Sequence, residues 1–502
     1  MRLTEILQGI EPVATVGLRD LDIASLRYDS RAVTPGDLFV AIRGEKADGN
    51  EFVASALARG AVAIVSELPV PHGFDRTWVQ VASARQALAL AAANFYRHPG
   101  RSLRLVGVTG TNGKTTTTHL LEAILRAAGE SVGLIGTVEY RSPAGPVQPA
   151  PHTTPESLDL QALLAQWRDA GVGWAVMEVS SHGLALERVY GLPFTAAVFT
   201  NLSRDHLDFH GDFESYFAAK QRLFLGQGAP PPPVVAVNAD DPYGCRLGTA
   251  AGGRLWLYGF NRTAQVSARD LELSSSGLRF VLSTPAGSAV IQSRLAGRPN
   301  VSNILAASAA ALGLGLSLEQ IRAGVEALAC VPGRFERIEA GQPFEVMVDF
   351  AHTDLALQSL LQTARETSRG RLILVFGCGG DRDRTKRPVM GEIAARLADV
   401  VILTNDNPRS EDPVRIVNDI VVGLQKAGGT CDIHLDRQEA IARAFELARA
   451  GDTVLLAGKG HERTQILADR VVPWSDQEAA RRLLAQKGFG SSASQPLVRG
   501  GR

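Results

Sequence analysis

Short apolar runs alternate with longer stretches of mixed polarity along most of the chain, the pattern of parallel strands covered by helices. In residues 1–100, FVAI near Phe39 and AVAIV near Ala61 flank the helix-like ASALARG, which predicts a small α/β unit. The polar stretch YRHPGRS at 96–102 ends it, and a new strand, LRLVGVT, opens at 103–109. Helices are then expected over 115–128 and 157–170, and strands over SVGLIG, WAVMEV (174–179) and AAVFTN (196–201). The proline run at 230–233 fits neither a helix nor a central strand and reads as a surface spacer. Residues 254–292 carry alternating β-type positions, and an Ala- and Leu-rich helix is expected over 301–313. After VPGR (331–334) a third pattern starts. Strands at 344–350, 371–376, 400–404 and 452–457 are interleaved with helical runs, as in an independent doubly wound domain.

A length of 502 residues exceeds one ordinary core and suggests about three domains. The expected division is 1–100, 101–332 and 333–488, with a Gly- and Ser-rich tail at 489–502 expected to be disordered. The class is α/β: a small N-terminal α/β domain, a central P-loop parallel sheet, and a C-terminal Rossmann-like doubly wound domain. Apolar residues at 45% and charged residues at 21% fit a soluble globular protein. Basic and acidic residues balance at 52 each, which argues against a general nucleic-acid binder. The four scattered cysteines, Cys245, Cys330, Cys378 and Cys431, form no metal-type pair or disulfide framework and point to a reducing cytoplasm. The opening MRLTEILQGIEP lacks the apolar core of a signal peptide, and no stretch approaches the ~20 apolar residues of a membrane span. A cytoplasmic protein is expected.

Candidate chemistry begins with GVTGTNGKTTTT at 107–118, placed between a buried strand and a helix. In such a loop Gly110 and Gly113 let backbone N–H groups, with those of Thr111, Asn112 and Thr116, turn toward a phosphate. Lys114 supplies a point charge for the β/γ-phosphates, and the Thr115 hydroxyl suits magnesium. Val108 stands where the usual form has its first glycine, so the loop is a variant. Nucleotide binding follows, but the loop alone does not separate a ligase from a motor, a GTPase or a kinase.

Downstream, Glu178 lies where WAVMEV leaves the core, well placed to hold magnesium beside a phosphate loop; the plainer reading is a cap on the next helix. The stretch TNLSRDHLDFHGDFESYFAAKQRLF (200–224) packs Asp205, His206, Asp208 and His210 together ahead of Lys220. These residues suit either a metal site or a hydrogen-bonded loop, since His is an infrequent magnesium ligand.

TGTNGKTT, EVSSHGL and TNLSRDHLDFHG, followed by Lys220, resemble the central domain of the Mur ligases, whose relatives the folylpolyglutamate synthases share that scheme. The resemblance continues through GRPNVSNILAA (297–307), VPGRFE, VDFAHT (348–353), FGCGGDRDRTKRP (376–388), DNPRSEDP (406–413) and AGKGHE (457–462). At the front, YDSRAVTPGDLFVAIRG (28–44) resembles the UDP-binding domain of the family's tripeptide-forming members. The resemblance implies that Ser30 contacts the uridine end of a UDP-linked muramoyl dipeptide, and that Thr153, Thr154, Ser180 and Arg188 hold its dipeptide. It implies that Lys114, Thr115, Glu178 and His206 surround the triphosphate of ATP and two magnesium ions, with Asn303, Arg334 and Asp349 reaching the nucleotide from the domain junction. Lys220 matches a lysine that the family carbamylates, which would make it a carboxylate-like magnesium ligand. Catalytic roles fall to Lys114, Glu178, His206 and Lys220. The implied substrates are UDP-N-acetylmuramoyl-L-alanyl-D-glutamate and an amino acid, joined through an acyl phosphate, by a monomer that needs neither nucleic acid nor membrane.

The amino acid is read from the third domain. Asp406, Asn407, Pro408 and Arg409 follow one strand, Gly458 and Glu462 another, and Arg382 a third, so three strand ends face one crevice. Arg409 can bind the distal carboxylate of meso-diaminopimelate with two parallel hydrogen bonds, whereas lysine carries only hydrogen there. DNPR also resembles the diaminopimelate-type members of the family. Two departures stand out. Phe350, Asp354 and Leu355 replace the family's usual YAHTPD pattern, which puts a helix start in doubt, and Leu186 replaces a polar residue. A lysine-adding sibling, a folate-type ligase, and a P-loop ATPase acting as a switch or motor are the competing readings.

Overall fold

The computed structural model describes residues 1–490 except 18, 45, 46 and 275; from 491 onward the tail expected to be disordered lies outside them. The N-terminal sheet comprises β1 (Pro12–Val16), β2 (Leu26–Arg27), β3 (Leu38–Val40), β4 (Ala63–Ser66) and β5 (Thr77–Val81) in the order β1-β5-β4-β3-β2. All its pairings are parallel except that of β1. The helix Ala84–Phe95, capped by Ser83, turns a small alanine-rich face onto it.

The central sheet holds β6 (Arg104–Thr109), β7 (Val132–Ile135), β8 (Glu139–Arg141), β9 (Gln148–Pro149), β10 (Trp174–Glu178), β11 (Phe194–Phe199), β12 (Val234–Asn238) and β13 (Arg254–Tyr258). Its order is β13-β12-β11-β6-β10-β7-β8-β9. From Leu105 to Thr109, β6 is buried, as its nearly unbroken apolar run requires of a strand covered on both faces. It pairs with β10 on one side and β11 on the other, so the chain leaves three neighbouring strands at one edge, where the strand order reverses.

The alternating stretch at 254–292 divides. β13 completes the central sheet, while β14 (Ser267–Ser274), β15 (Gly277–Thr284) and β16 (Gly287–Ser293) form a separate antiparallel sheet. Leu278, Phe280, Leu282 and Ile291 give that sheet one buried face, shared with the helix Arg298–Gly313. This helix starts three residues before the expected position, because Pro299 suits a first turn and Gly297 takes a positive φ at the cap.

The third sheet has β17 (Glu336–Arg337), β18 (Glu345–Asp349), β19 (Leu372–Phe376), β20 (Val400–Leu403), β21 (Asp432–Ile433) and β22 (Thr453–Ala457) in the order β17-β18-β22-β19-β20-β21. It is parallel apart from β17 and has an apolar core on each face. The helix Asp354–Thr367 starts cleanly, because the Thr353 hydroxyl accepts from Ala356 N–H. No helix among the described residues is long and apolar enough to cross a membrane.

Candidate active site

The phosphate loop hangs on the exit of β6. Gly110 has φ +145°, and a Cβ there would lie 1.8 Å from Thr200 Oγ1; at Gly113, φ +86°, it would lie 2.3 Å from Asn303 Oδ1. Glycine is required at both positions by backbone and by space. Thr200 Oγ1 donates to the Asn112 carbonyl at 2.6 Å, and Asn112 N–H donates to Asn201 Oδ1 at 3.0 Å. The exit of β11 therefore shapes the loop.

The Lys114 ammonium donates to the carbonyls of Gly110 (2.9 Å) and Thr111 (2.8 Å). Lys220 donates to the same Gly110 carbonyl at 2.9 Å and lies over the Tyr216 ring. Burial pulls the Lys114 pKa down, opposed by the carboxylates of Glu178 and Asp205. Burial, with the nearby Lys114 cation, pulls Lys220 well below the usual lysine range.

Glu178 ends β10, buried, and accepts from Thr137 N–H (2.9 Å) and Thr137 Oγ1 (3.0 Å). It does not cap the next helix. Ser180 does, accepting from Gly183 N–H at 3.0 Å. Thr153 Oγ1 meets Thr137 Oγ1 at 3.1 Å, whereas Thr154 is fully buried, donating to the Glu178 carbonyl and accepting from Ser180 N–H. Arg188 donates to the Thr154 carbonyl (3.0 Å) and lies 3.4 Å from Glu156, which also pairs with Arg85. Ser30 sits in a one-turn helix capped by Asp29, and Tyr28 next to it donates to Asp159 Oδ2 at 2.6 Å, tying the first domain to the second.

His206 adopts a left-handed backbone, with Nε2 3.3 Å from Asp205 Oδ2 and its ring against His182. Burial pulls its pKa down to about 4, so the imidazole is neutral at pH 7. His210 packs on Tyr216. Among the described residues, no group of three His, Cys, Asp or Glu forms a metal cage.

From the third domain, Arg334 donates to Thr115 Oγ1 (3.2 Å) and lies over the Phe350 ring. Asp349 uses both oxygens on backbone, accepting from Phe335 N–H (2.7 Å) and Ala351 N–H (2.8 Å), and so holds that turn. Asn303 donates to Asn300 Oδ1 behind the loop.

At the exits of β19, β20 and β22 the chain builds a charged crevice. Arg409, with φ +53°, donates to the Gly380 carbonyl at 2.8 Å. A Cβ at Gly379 would lie 3.0 Å from Arg409 Nη1 and 3.8 Å from Arg382 Cγ, so two guanidinium side chains flank this glycine. Burial, reinforced by the Arg382 cation, pulls the Arg409 pKa down. Two neighbouring cations make an anion site. Behind them the fully buried Lys459 donates to Asn407 Oδ1 (2.8 Å), Glu462 Oε2 (2.6 Å) and the Thr464 carbonyl (2.6 Å). Gly458, φ +107°, closes against Asp406, where a Cβ would lie 2.5 Å from Oδ2.

One cleft of about 2410 Å³ runs from Ser30 past the phosphate loop to Arg409 and Glu462. Models of the Mur ligase middle domain, of the Mur ligase glutamate ligase domain, and of the Mur ligase family catalytic domain match residues 108–311, 333–460 and 22–96. A UDP-N-acetylmuramoyl-L-alanyl-D-glutamate–2,6-diaminopimelate ligase of Solibacter usitatus is 51% identical over 499 residues, covering 99% of this chain and 100% of that protein. The chain belongs to the Mur ligase family. A Geobacter metallireducens ligase of the same name is 46% identical over 98% of this chain and 100% of its own length. A solved structure under that name superposes with a TM-score of 0.68 at 33% identity, covering 97% of this chain and 99% of that one.

In this Mur ligase most expected site residues stand on the cleft wall, but Gly110, Thr154, Lys220 and Pro408 stand behind it. Thr154 braces Ser180 and Glu178, and Lys220 braces the loop through Gly110. Sequence reasoning missed Thr137, Arg85, Glu156 and Lys459. The lysine of AGKGHE was visible, but its partners Asn407 and Thr464 are set only by the fold.

Proposed function

We propose that this Mur ligase adds meso-diaminopimelate to the D-glutamate side-chain carboxyl of UDP-N-acetylmuramoyl-L-alanyl-D-glutamate, using ATP, in peptidoglycan synthesis. The observation that carries the reading is the single cleft with a phosphate loop on one wall and the Arg382–Arg409 pair on the other. The names of the near full-length relatives support the same substrates. The division of labour among the three domains belongs to the proposal: the first holds the UDP end, the second ATP, the third the amino acid.

The carboxylate first takes the γ-phosphoryl group of ATP, releasing ADP. The amine then attacks the acyl phosphate, forming the amide and releasing phosphate and a proton. Lys114, now bonded to two loop carbonyls, turns onto the phosphates and offsets the charge that develops on transfer. Thr153, Ser180 and Arg188 orient the dipeptide, and Arg382, Arg409 and Glu462 orient the acceptor so that its amine faces the carboxyl.

Glu178 and the Thr115 hydroxyl suit magnesium, an ion that at ATP sites takes one or two carboxylates and fills most of the remaining positions with phosphate and water. Glu178, Thr115 and His206 would hold it, and it would supply neutralisation of the phosphate oxygens. Lys220 fits carbamylation: a buried lysine with a depressed pKa presents the neutral amine that reacts with carbon dioxide.

The test is phosphate release from ATP with the UDP-linked dipeptide and either meso-diaminopimelate, L-lysine or no amino acid, with the product weighed by mass spectrometry. Release and a tripeptide product only with diaminopimelate are expected. Equal use of lysine would remove the role given to Arg409, and turnover indifferent to both would remove the ligase reading.

A further inference from the structure

Arg437 and Asp476 form a fully buried ion pair that no sequence motif marks. The guanidinium meets the carboxylate twice, Nε to Oδ1 and Nη2 to Oδ2, each at 2.7 Å, and Trp474 Nε1 donates to the same carboxylate at 2.8 Å. Its remaining bonds go to two backbone carbonyls, Ala457 at 2.9 Å and Asn405 at 3.3 Å. These are the residues immediately before Gly458 and Asp406. The two carbonyls leave β22 and β20, which are not neighbours, since β19 lies between them. One side chain thus clamps the ends of two of the three strands that carry the crevice.

The helix that bears Arg437 does not explain it. Arg437 is the first residue of Arg437–Leu447, where the helix dipole disfavours a cation. The charges of Asp406 and Glu462 also act on the guanidinium, so it is coupled electrostatically to two carboxylates of the crevice. From this geometry we infer that Arg437, held by Asp476, is a positioning residue for the amino-acid acceptor, fixing Asp406 and Gly458 from beneath without touching the substrate. The inference rests on the third domain binding the acceptor, as proposed above.

Steady-state kinetics of the full chain test it, with Arg437→Lys and the milder Trp474→Phe, which removes the indole donor to Asp476 and leaves an aromatic ring on the core beside it. Lysine keeps the charge but cannot reach both carbonyls and the carboxylate. For Arg437→Lys the KM for meso-diaminopimelate is expected to rise roughly tenfold or more while those for ATP and the UDP-linked dipeptide stay within about twofold. Trp474→Phe should move the same constant in the same direction by less. A fall in kcat with the acceptor KM unchanged, an equal rise in all three KM values, or failure of both variants to fold would overturn the inference and leave the pair a stability strut. Wild-type protein that does not use diaminopimelate would instead remove the proposed function, so the two failures are distinguishable.

Discussion

Arg409→Lys probes the acceptor reading most directly. In the structure one guanidinium nitrogen of Arg409 is spent on the Gly380 carbonyl at 2.8 Å, which fixes the plane of the group and leaves its other donors for the cleft. Among the described residues its neighbour Arg382 makes one long hydrogen bond, to the Asp381 carbonyl of its own loop, which leaves its other donors for a carboxylate. A lysine at 409 keeps one charge but loses the fork and the Gly380 anchor. Each hydrogen bond to a charged group contributes about 1.5–3 kcal/mol, so losing a bidentate pair while retaining one contact should cost about 3 kcal/mol. That converts to roughly two orders of magnitude in kcat/KM for meso-diaminopimelate. The assay is ADP release under competing diaminopimelate and L-lysine, with both products quantified by mass. Arg409→Lys should lose most of the discrimination between them, with the KM for ATP unchanged. A variant that still prefers diaminopimelate by the wild-type ratio would refute the assignment of the distal carboxylate to Arg409.

Gly110→Ala should abolish binding of a fluorescent ADP analogue, because the new Cβ would lie 1.8 Å from Thr200 Oγ1; Gly129→Ala, also at positive φ (+84°) but with nothing within 4 Å, should bind normally and lose only about 1–2 kcal/mol of stability to backbone strain. Thr137→Val removes the hydroxyl that donates to Glu178 at 3.0 Å, a loss of about 1 kcal/mol, and a magnesium titration of the rate should show a requirement raised roughly fivefold. His119 is buried on the phosphate-loop helix, Nδ1 bonded to the Thr115 carbonyl, and burial pulls its pKa from 6.5 to about 4. The unfolded chain therefore binds more protons between pH 6.5 and about 4, so this contribution is full above 6.5 and is lost as pH falls, up to roughly 3 kcal/mol. Chemical denaturation at pH 7 and pH 5 should show a steeper loss for wild type than for His119→Asn, and equal losses would count against burial of a neutral imidazole.

What could be read from the sequence was whatever local pattern decides. The unbroken apolar run of β6, the glycines of its loop, and the strand exits at Glu178, Asp406 and Gly458 all sit where their spacing places them. Partners across the fold were out of reach. Glu178 looked like a metal ligand or a helix cap, but Thr137, 41 residues away, decides its orientation. Period-two alternation identifies strands without saying which sheet they join, so 254–292 could not be divided in advance. Arg437, Arg387 and Lys459 were overlooked because charged residues are expected outside, and each is buried because carbonyls and carboxylates, some of them from other elements, converge on it.

The departures after His352 show how such local and distant effects combine. Loss of the proline takes away a residue that pre-sets the first turn of a helix. Thr353, which the family pattern also has, caps the helix through its side chain, and Asp354 places a carboxylate in the first turn, where the dipole favours one. Phe350 keeps the ring that the Arg334 guanidinium and the His461 imidazole both pack against. Arg334 in turn reaches Thr115 of the phosphate loop, and His461 belongs to the same loop as Glu462 of the crevice. The ring of Phe350 therefore links Arg334, which touches the phosphate loop, to His461, which precedes Glu462, and it does so without a hydroxyl.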